Sequence, residues 1–228
     1  MSLLAIENLN LSINGTPILD NIALKIEAGE IVALTGESGS GKSLTSLAIM
    51  GLLPQGADTT GQVKFGDRDL LQTSEAELCT LRGNEIGMVF QEPMTALNPV
   101  QTIGAQVSET IRIHEKTTRH EAYRRAAQTL ERVGLPNDRF PLTRYPHELS
   151  GGQRQRVVIA MAIALRPKLL IADEPTTALD VTTQATILEL LKGLVDEFGM
   201  GLMMITHDLA VVANMADQIV VMQNGRVV

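Results

Sequence analysis

The chain has 228 residues, 44% of them hydrophobic, and a formal net charge of −7 at pH 7. That length can bury a substantial core in one or two domains, while the negative charge argues against a general binder of the nucleic-acid backbone, which needs a basic face. The single cysteine, Cys79, excludes a disulfide framework and a cysteine-based zinc cluster and is consistent with a reducing compartment.

The N-terminal part of the chain has the patterns of strands. Residues 9–13 and 22–26 place apolar side chains at every second position, and Asn14-Gly15 between them is a turn signal, so we predict an antiparallel β-hairpin. Residues 31–34 are all apolar, as in a strand buried on both faces. A glycine-rich loop follows, and residues 44–50 favour a helix.

Further strands and helices are predicted between residues 63 and 134. Val63 and Phe65 indicate a strand, Ser74-x-x-Glu77 a capped helix, and residues 86–90 a strand that leads Gln91 into a loop. From residue 100 to 133 the pattern is helical, with a second capping box at Thr118-x-x-Glu121. The helical stripe after that box consists of Tyr123, Ala126, Ala127, Leu130 and Val133, and Gly134 ends it.

The rest of the chain alternates helices and strands. The predicted helices run from residue 150 to about 165 and through residues 187–198, and the predicted strands cover residues 169–172, 202–206, 219–222 and 226–228. The longest apolar run, residues 157–165, is too short to span a bilayer, and we predict no signal peptide. Any link to a membrane is therefore expected to come through a partner protein.

These patterns predict an α/β fold in a single domain, residues 1–228. We expect residues 1–90 and 154–228 to form the core together with an N-terminal β subdomain. We expect a helical subdomain to be inserted at about residues 91–153.

Residues 36–43, Gly-Glu-Ser-Gly-Ser-Gly-Lys-Ser, match the Walker A pattern. A buried strand before them and a helix after them make a chance match a poor alternative. The glycines let backbone N–H groups face phosphate oxygens, Lys42 would contact the outer phosphates, and Ser43 would ligate Mg²⁺. The predicted ATP-binding residues of this loop are Gly36, Glu37, Ser38, Gly39, Ser40, Gly41, Lys42, Ser43 and Leu44.

Asp173 and Glu174 end an apolar strand, as in a Walker B segment. We predict that Asp173 orients Mg²⁺ and that Glu174 is the general base that accepts a hydrogen bond from the attacking water. The alternative is a solvated acidic pair at the end of a strand. His207 also follows a predicted strand and would lie at the same sheet edge, although a lone histidine is more often structural.

Residues 149–153, Leu-Ser-Gly-Gly-Gln, open a long predicted helix. Ser150 is in place to cap it, Gln153 is the third helical residue, and Gly151 and Gly152 leave backbone N–H groups accessible. We predict a second anion site here. The alternative is a capped helix without a ligand.

Taken together and in this order, these motifs resemble the nucleotide-binding domain of ABC transporters over essentially the whole chain. The motifs that carry the resemblance are the Walker A loop, Gln91, residues 149–153, Asp173-Glu174, Ala178-Leu179-Asp180 and His207. The resemblance implies a P-loop NTPase core of the ABC type with an N-terminal antiparallel β subdomain and an inserted α-helical subdomain.

The resemblance also implies roles for individual residues. In such a domain, Ser150, Gly151, Gly152 and Gln153 of one copy cap the ATP held by the Walker A loop of another, in a homodimer, a heterodimer or a tandem protein. Lys42 would stabilise charge on the transferring phosphoryl group. Gln91 would touch Mg²⁺ and relay the nucleotide state to a membrane subunit. Asp180 would contact the opposite domain, and His207 would bridge the γ-phosphate and Glu174.

Two stretches, residues 91–99 and 145–148, resemble the importer branch for peptides, nickel or glutathione. The expected function is therefore that of the ATP-hydrolysing subunit or domain of an importer for a small solute, foremost peptides. It would work with integral membrane permease subunits, peripherally on the cytoplasmic face of a bacterial inner membrane, without binding nucleic acid directly. Ile13 stands where the family usually stacks an aromatic ring on adenine, so we expect weak discrimination between nucleotide bases.

Two alternatives belong to other classes of protein. A soluble ABC ATPase acting on DNA or ribosomes would carry a coiled-coil or zinc insertion, or a charged linker, and the sequence shows none. A regulatory nucleotide-binding module without turnover is disfavoured because Glu174 and His207 are both present.

Overall fold

The computed structural model describes residues 2–177 and 179–228. The strands are β1 (Leu4–Ile13), β2 (Thr16–Ile26), β3 (Ile31–Gly36), β4 (Ala57–Phe65), β5 (Arg68–Asp69), β6 (Ile86–Val89), β7 (Leu169–Asp173), β8 (Gly201–Ile205), β9 (Gln218–Gln223) and β10 (Arg226–Val227). The helices are α1 (Lys42–Met50), α2 (Glu75–Leu81), α3 (Pro93–Ala96), α4 (Ile103–His114), α5 (Arg119–Arg132), α6 (Gly151–Ile163), α7 (Val181–Phe198) and α8 (Leu209–Met215).

The strands form two sheets. An antiparallel sheet has the order β2-β1-β4-β5, and a larger sheet has the order β10-β9-β3-β8-β7-β6, parallel except for β10. Strands β7 and β8 are buried along their whole length, as expected for a parallel sheet covered on both faces. The predicted α/β fold with an antiparallel β subdomain and helices is confirmed.

The order of the parallel strands brings four predicted motifs to one edge. The Walker A loop follows β3, His207 lies just beyond β8, Asp173 and Glu174 lie at the end of β7, and Gln91 lies just beyond β6. These strands are consecutive neighbours in the sheet, and their carboxyl ends share one edge, which is where open α/β folds bind ligands.

The inserted helices share their core with the sheet. Side chains of α4, α5, α6 and α7 pack in one continuous apolar cluster with one face of β3, β7 and β8, whereas the other sheet face packs with α1 and the antiparallel sheet. The separate helical subdomain at residues 91–153 stays a prediction, and its end at residue 153 falls inside α6.

Local predictions had mixed outcomes. The capping box at Ser74 is confirmed, because both of its reciprocal hydrogen bonds form. The predicted capping box at Thr118 forms only one of its two hydrogen bonds. Thr118 caps α5, but the Glu121 carboxylate pairs with Arg124 instead of accepting from the N–H of Thr118. Helix α8 was not predicted, because residues 209–215 are almost uniformly apolar and short and so show no helical periodicity.

No helix within residues 2–177 and 179–228 has both the length and the apolar character needed to cross a membrane.

Candidate functional site

The loop between β3 and α1 is built to receive an anion. Lys42 is only 6% exposed, and its Nζ donates to the carbonyl oxygens of Gly36 and Glu37 at 2.8 Å each. Within the described residues, no carboxylate lies within salt-bridge distance of Lys42, although the Asp173 carboxylate is close enough to interact with its charge. A buried ammonium without a salt-bridge partner at a helix N-terminus favours a negatively charged ligand.

The other residues of this loop divide by exposure. Glu37, Ser38, Gly39 and Ser43 are exposed, Gly36 and Leu44 are half-buried, and Ser40 and Gly41 are buried. Gly36 has a φ of +146°, and a Cβ at this position would lie 2.1 Å from the carbonyl oxygen of Met222. Only glycine therefore fits where the loop leaves β3.

Asp173 is a buried carboxylate with an unused oxygen. It is 6% exposed, and its Oδ1 has no hydrogen-bond partner in the described part of the chain. Burial raises the pKa of Asp173, against a hydrogen bond from Ser43 and the nearby charge of Lys42. Carboxylate and hydroxyl oxygens side by side are ligands that Mg²⁺ accepts.

A metal at this point would depend on the nucleotide for further ligands. The described residues contain no group of three or more His, Cys, Asp or Glu side chains that could hold a metal ion. Mg²⁺ is commonly bound by one or two protein groups together with substrate phosphates and water. Ser43 and Asp173 therefore fit a magnesium–nucleotide complex better than a dedicated metal centre.

Glu174 is held by three side chains from different segments. Its Oε2 accepts hydrogen bonds from Gln91 Nε2 at 2.9 Å and from Thr177 Oγ1 at 2.8 Å, and its Oε1 lies 3.1 Å from His207 Nδ1. Burial raises the pKa of Glu174, but the hydrogen bonds from Thr177, His207 and Gln91 outweigh that effect and leave the pKa below its ordinary value. Glu174 is therefore ionised at neutral pH.

The backbone of Glu174 is in an uncommon conformation. Its φ is +47°, in the left-handed region that costs free energy for a residue with a Cβ, and its N–H donates to the carbonyl of Ile205 at 2.9 Å. Strain of this kind is concentrated at functional sites, where the surrounding structure holds it in place. Here it turns the carboxylate toward Gln91 and His207.

Ser150 caps α6 as predicted. Its Oγ accepts from the N–H of Gln153, and Gln153 Oε1 accepts from the N–H of Ser150 at 2.9 Å. A Cβ on Gly152 would lie 2.4 Å from Thr183 Cγ2, so this glycine also lets α6 approach α7. Asp180 caps α7 through the N–H and hydroxyl of Thr183.

The structure brings together some predicted residues but not others. Gln91, Glu174 and His207 are in direct contact, and Ser43 contacts Asp173. Within the described residues, Ser150–Gln153 make no hydrogen bond to the Walker A loop. Ala178 lies outside the described residues. Thr177 was missed; its place three residues after Glu174, in a Glu-Pro-Thr-Thr turn, was the available signal.

An apolar groove lies beside Gln91. It has a volume of about 650 Å³, and its lining includes Met50, Leu52, Met88, Phe90 and Met161. Phe90, directly before Gln91 in the chain, is 44% exposed. Phe90 is part of this contiguous apolar lining, and an apolar patch bordered by polar residues is typical of a surface that contacts another protein.

Comparison with known proteins also indicates a nucleotide-binding domain. The family model described as "ABC transporter" matches residues 19–177. The dimeric ATP-binding cassette MJ0796, in a post-hydrolysis state bound to ADP and Pi, superposes with a TM-score of 0.84 and 32% identity, over 98% of this chain and 96% of that one.

Curated relatives are more similar in sequence. The oligopeptide transport ATP-binding protein AppD of Bacillus subtilis (strain 168) is 52% identical over 214 residues, or 93% of this chain and 65% of AppD. OppD of the same organism, with the same description, is 53% identical over 205 residues, or 89% of this chain and 57% of OppD. The chain thus spans about three fifths of the length of these relatives.

Proposed function

This chain belongs to the ABC transporter family, and from that premise we propose that it is the ATP-hydrolysing subunit or domain of an importer that takes up peptides. The observation that carries the proposal is the cluster at one sheet edge, where the loop that holds the buried Lys42 shares that edge with a carboxylate held by Gln91, Thr177 and His207. The names of the relatives AppD and OppD support the choice of peptides.

In the proposed mechanism, the Walker A loop holds the phosphates of ATP. Lys42 exchanges the carbonyl oxygens of Gly36 and Glu37 for phosphate oxygens, and backbone N–H groups at the start of α1 face the same anion. Ser43, Asp173 and the amide oxygen of Gln91 would hold Mg²⁺, which would supply positive charge against the phosphates.

Glu174 is the proposed general base. Its carboxylate is ionised and ready to accept the proton of the attacking water, and its three hydrogen-bond partners fix its orientation. His207 is 65% exposed at its side chain, so its ring can contact a γ-phosphate while it stays hydrogen-bonded to Glu174. Lys42 and His207 would then stabilise charge on the transferring phosphoryl group.

A second domain would complete the site. Ser150 and Gly151 are exposed at the start of α6, and in the described part of the chain they make no hydrogen bond to the Walker A loop. We propose that they cap the ATP held by the opposite copy and that Asp180 contacts that copy. The dimeric form of the similar cassette MJ0796 supports this arrangement. Two-fold symmetry would satisfy both sites at once.

The membrane subunits are the proposed partners at the apolar groove. Gln91 links Glu174 to the segment that follows Phe90, so a protein seated on Phe90 and Leu52 would sense whether Gln91 is engaged with nucleotide. We therefore propose that the chain works peripherally, on the cytoplasmic face of a bacterial inner membrane.

The test uses Glu174→Gln in cells that produce the intact transporter and are auxotrophic for one amino acid. The variant should fail to grow when that amino acid is supplied as a tripeptide and should grow when it is supplied free. Glu131→Gln, an exposed change on α5, is the control and should grow on both. Normal growth of the Glu174→Gln strain on the tripeptide would exclude peptide import as the function, and uptake of labelled glutathione and nickel would then be measured.

A further inference from the structure

We propose that the turn between β9 and β10, residues Asn224 and Gly225, is a positioning clamp that fixes the orientation of the Walker A loop. The proposal rests on the proposed ATP-binding function and adds to it a predicted turn, Asn224-Gly225, that lies outside the nucleotide-binding motifs of the sequence. Gly225 is 184 positions after Gly41, and no pattern in the sequence links the two.

The clamp joins three segments. The N–H of Gly225 donates to the carbonyl oxygen of Ser40 at 3.2 Å, and the carbonyl oxygen of Gly225 accepts from the N–H of Asp20 on β2 at 2.8 Å. Arg226 adds hydrogen bonds from Nε and Nη2 to the carboxylate of Asp20. The turn thus ties the Walker A loop to the antiparallel sheet.

The hydrogen bond to Ser40 controls which way one peptide group points. In a planar trans peptide, the C=O of Ser40 and the N–H of Gly41 point in opposite directions. Because the carbonyl is held against Gly225, the N–H of Gly41 faces away from the turn, and it donates to no protein acceptor within the described residues. That N–H is therefore presented to an anion.

Without the clamp this peptide could rotate. The peptide joins Ser40 to Gly41, so it rotates through the ψ of Ser40 and the φ of Gly41, and Gly41, with a φ of +102°, can change conformation at little steric cost. A rotated peptide would turn the carbonyl oxygen of Ser40 toward the phosphates and repel them. Glycine thus lets the loop form but also lets this peptide rotate. The clamp holds the orientation in which the N–H of Gly41 faces the anion.

The clamp itself requires glycine. Gly225 has a φ of +76°, and a Cβ there would lie 2.1 Å from the carbonyl oxygen of Ile18. Alanine would push the turn away from β2 and lengthen its bond to Ser40. Gly66, in the turn between β4 and β5, has a φ of +57° but open space around its Cβ position. Gly66→Ala therefore reproduces the backbone strain without the displacement.

The experiment measures the dissociation constant of Mg-ADP by calorimetry, the thermal midpoint, and the kinetics of ATP hydrolysis. Relative to Gly66→Ala, Gly225→Ala should weaken Mg-ADP about tenfold and raise the KM for ATP similarly, while kcat stays within about threefold. A merely structural change would lower the active fraction and hence kcat, leaving KM unchanged. Equal Mg-ADP affinities for the two variants would overturn the clamp, whereas a parent protein that binds no nucleotide would overturn the proposed function.

A second pair of variants applies if Gly225→Ala does not fold. Arg226→Asp places two like charges where Asp20 and Arg226 now pair, and it should weaken Mg-ADP about threefold, in keeping with an exposed ion pair. The double change Asp20→Arg with Arg226→Asp restores opposite charges and should restore the affinity. Unchanged affinity in the single variant, or no recovery in the double variant, contradicts the proposal.

Discussion

The surroundings of Glu174 and of Ser150 differ in how completely their own chain satisfies them. Glu174 accepts hydrogen bonds from side chains on separate segments and holds a left-handed backbone conformation. Ser150 is exposed, and its bonds stay within its own capping box. The first region is a carboxylate held in place by its own chain, as the proposed catalytic role requires, and the second is a capped, exposed helix end that we propose presents donors to a second copy.

Under the proposed function, this difference means that the Walker A site needs a second copy to be complete. A site whose base is positioned internally can be tested by changing that base alone. A site whose anion-binding loop faces outward can be tested only when a second copy is present. The four predictions that follow test these two regions and Asp173, the carboxylate next to Glu174.

The largest effect is expected from Glu174→Gln. An amide cannot take a proton from water, so kcat should fall about 10³-fold, within the range that general-base catalysis contributes. Mg-ATP affinity should stay within about threefold, because Lys42 and Ser43 are unchanged. Phosphate release and nucleotide titration on the purified variant measure both. Turnover within about threefold of the parent, under 1 kcal/mol of barrier, would remove Glu174 as the base.

The second prediction concerns dimerisation. With Mg-ATP bound and not hydrolysed, the Glu174→Gln variant should form a dimer, and adding Ser150→Arg should return it to a monomer because the bulk and charge block closure. Light scattering with Mg-ATP, Mg-ADP and no nucleotide gives the readout, and only Mg-ATP should produce the dimer.

Ser74→Arg is the matched control for that change. Ser74 also heads a capping box, on the exposed helix α2, so losing it costs the same kind of cap, about 1 kcal/mol. The control should still dimerise. If Ser74→Arg abolishes the dimer as well, the effect comes from lost stability, and if Ser150→Arg leaves the dimer intact, α6 has no part in the contact.

The two regions were also unequally predictable from sequence. The cap at Ser150 was predicted correctly because a capping box involves residues three apart and depends on local geometry. Contacts around Glu174 join residues 83 and 33 positions apart, and the proximity of Gln91 and His207 could be expected only from their shared sheet edge and the family resemblance. Thr177 reaches Glu174 and Gly225 reaches the Walker A loop through backbone turns whose direction no periodic pattern encodes.

A smaller effect, on stability, is predicted for Asp173→Asn. The buried Asp173 carboxylate has an unpartnered oxygen, so a neutral amide should raise the free energy of unfolding of the nucleotide-free protein by about 1 kcal/mol, or about 2–4 °C in the thermal midpoint. The same change should weaken Mg-ATP binding. Thermal unfolding in EDTA and titration in Mg²⁺ measure the two effects.

The stability that Asp173→Asn gains over the parent should increase with pH. The pKa of Asp173 is raised in the folded state, so the folded protein binds this proton more tightly than the unfolded chain does. The parent therefore loses stability relative to Asp173→Asn as pH rises from about 3.8 through the folded pKa of Asp173. If Asp173→Asn gains the same stability at every pH, or is less stable than the parent at pH 8, then the Asp173 carboxylate is adequately solvated in the parent.

The smallest effect is expected from Thr177→Val, which removes one of the three hydrogen bonds at Glu174. Burial raises the pKa of Glu174, and the bond from Thr177 is the largest single influence that lowers it, so the variant should have a higher pKa at this carboxylate. At pH 8 the base is ionised in both proteins, and kcat/KM should fall no more than about threefold, as for one neutral hydrogen bond.

The difference in kcat/KM between Thr177→Val and the parent should grow as the pH falls, because Glu174 becomes protonated at a higher pH in the variant. The acid limb of the kcat/KM profile should move to higher pH in Thr177→Val and stay in place in Thr186→Val, an exposed threonine on α7. The bonds to Glu174 also stabilise the folded state above the unfolded pKa, an effect lost as pH falls through the folded pKa. The variant should therefore have a smaller acid-dependent loss of stability than the parent. Acid limbs that coincide in all three proteins would mean that Thr177 only closes its own turn, and that Gln91 and His207 alone hold the base.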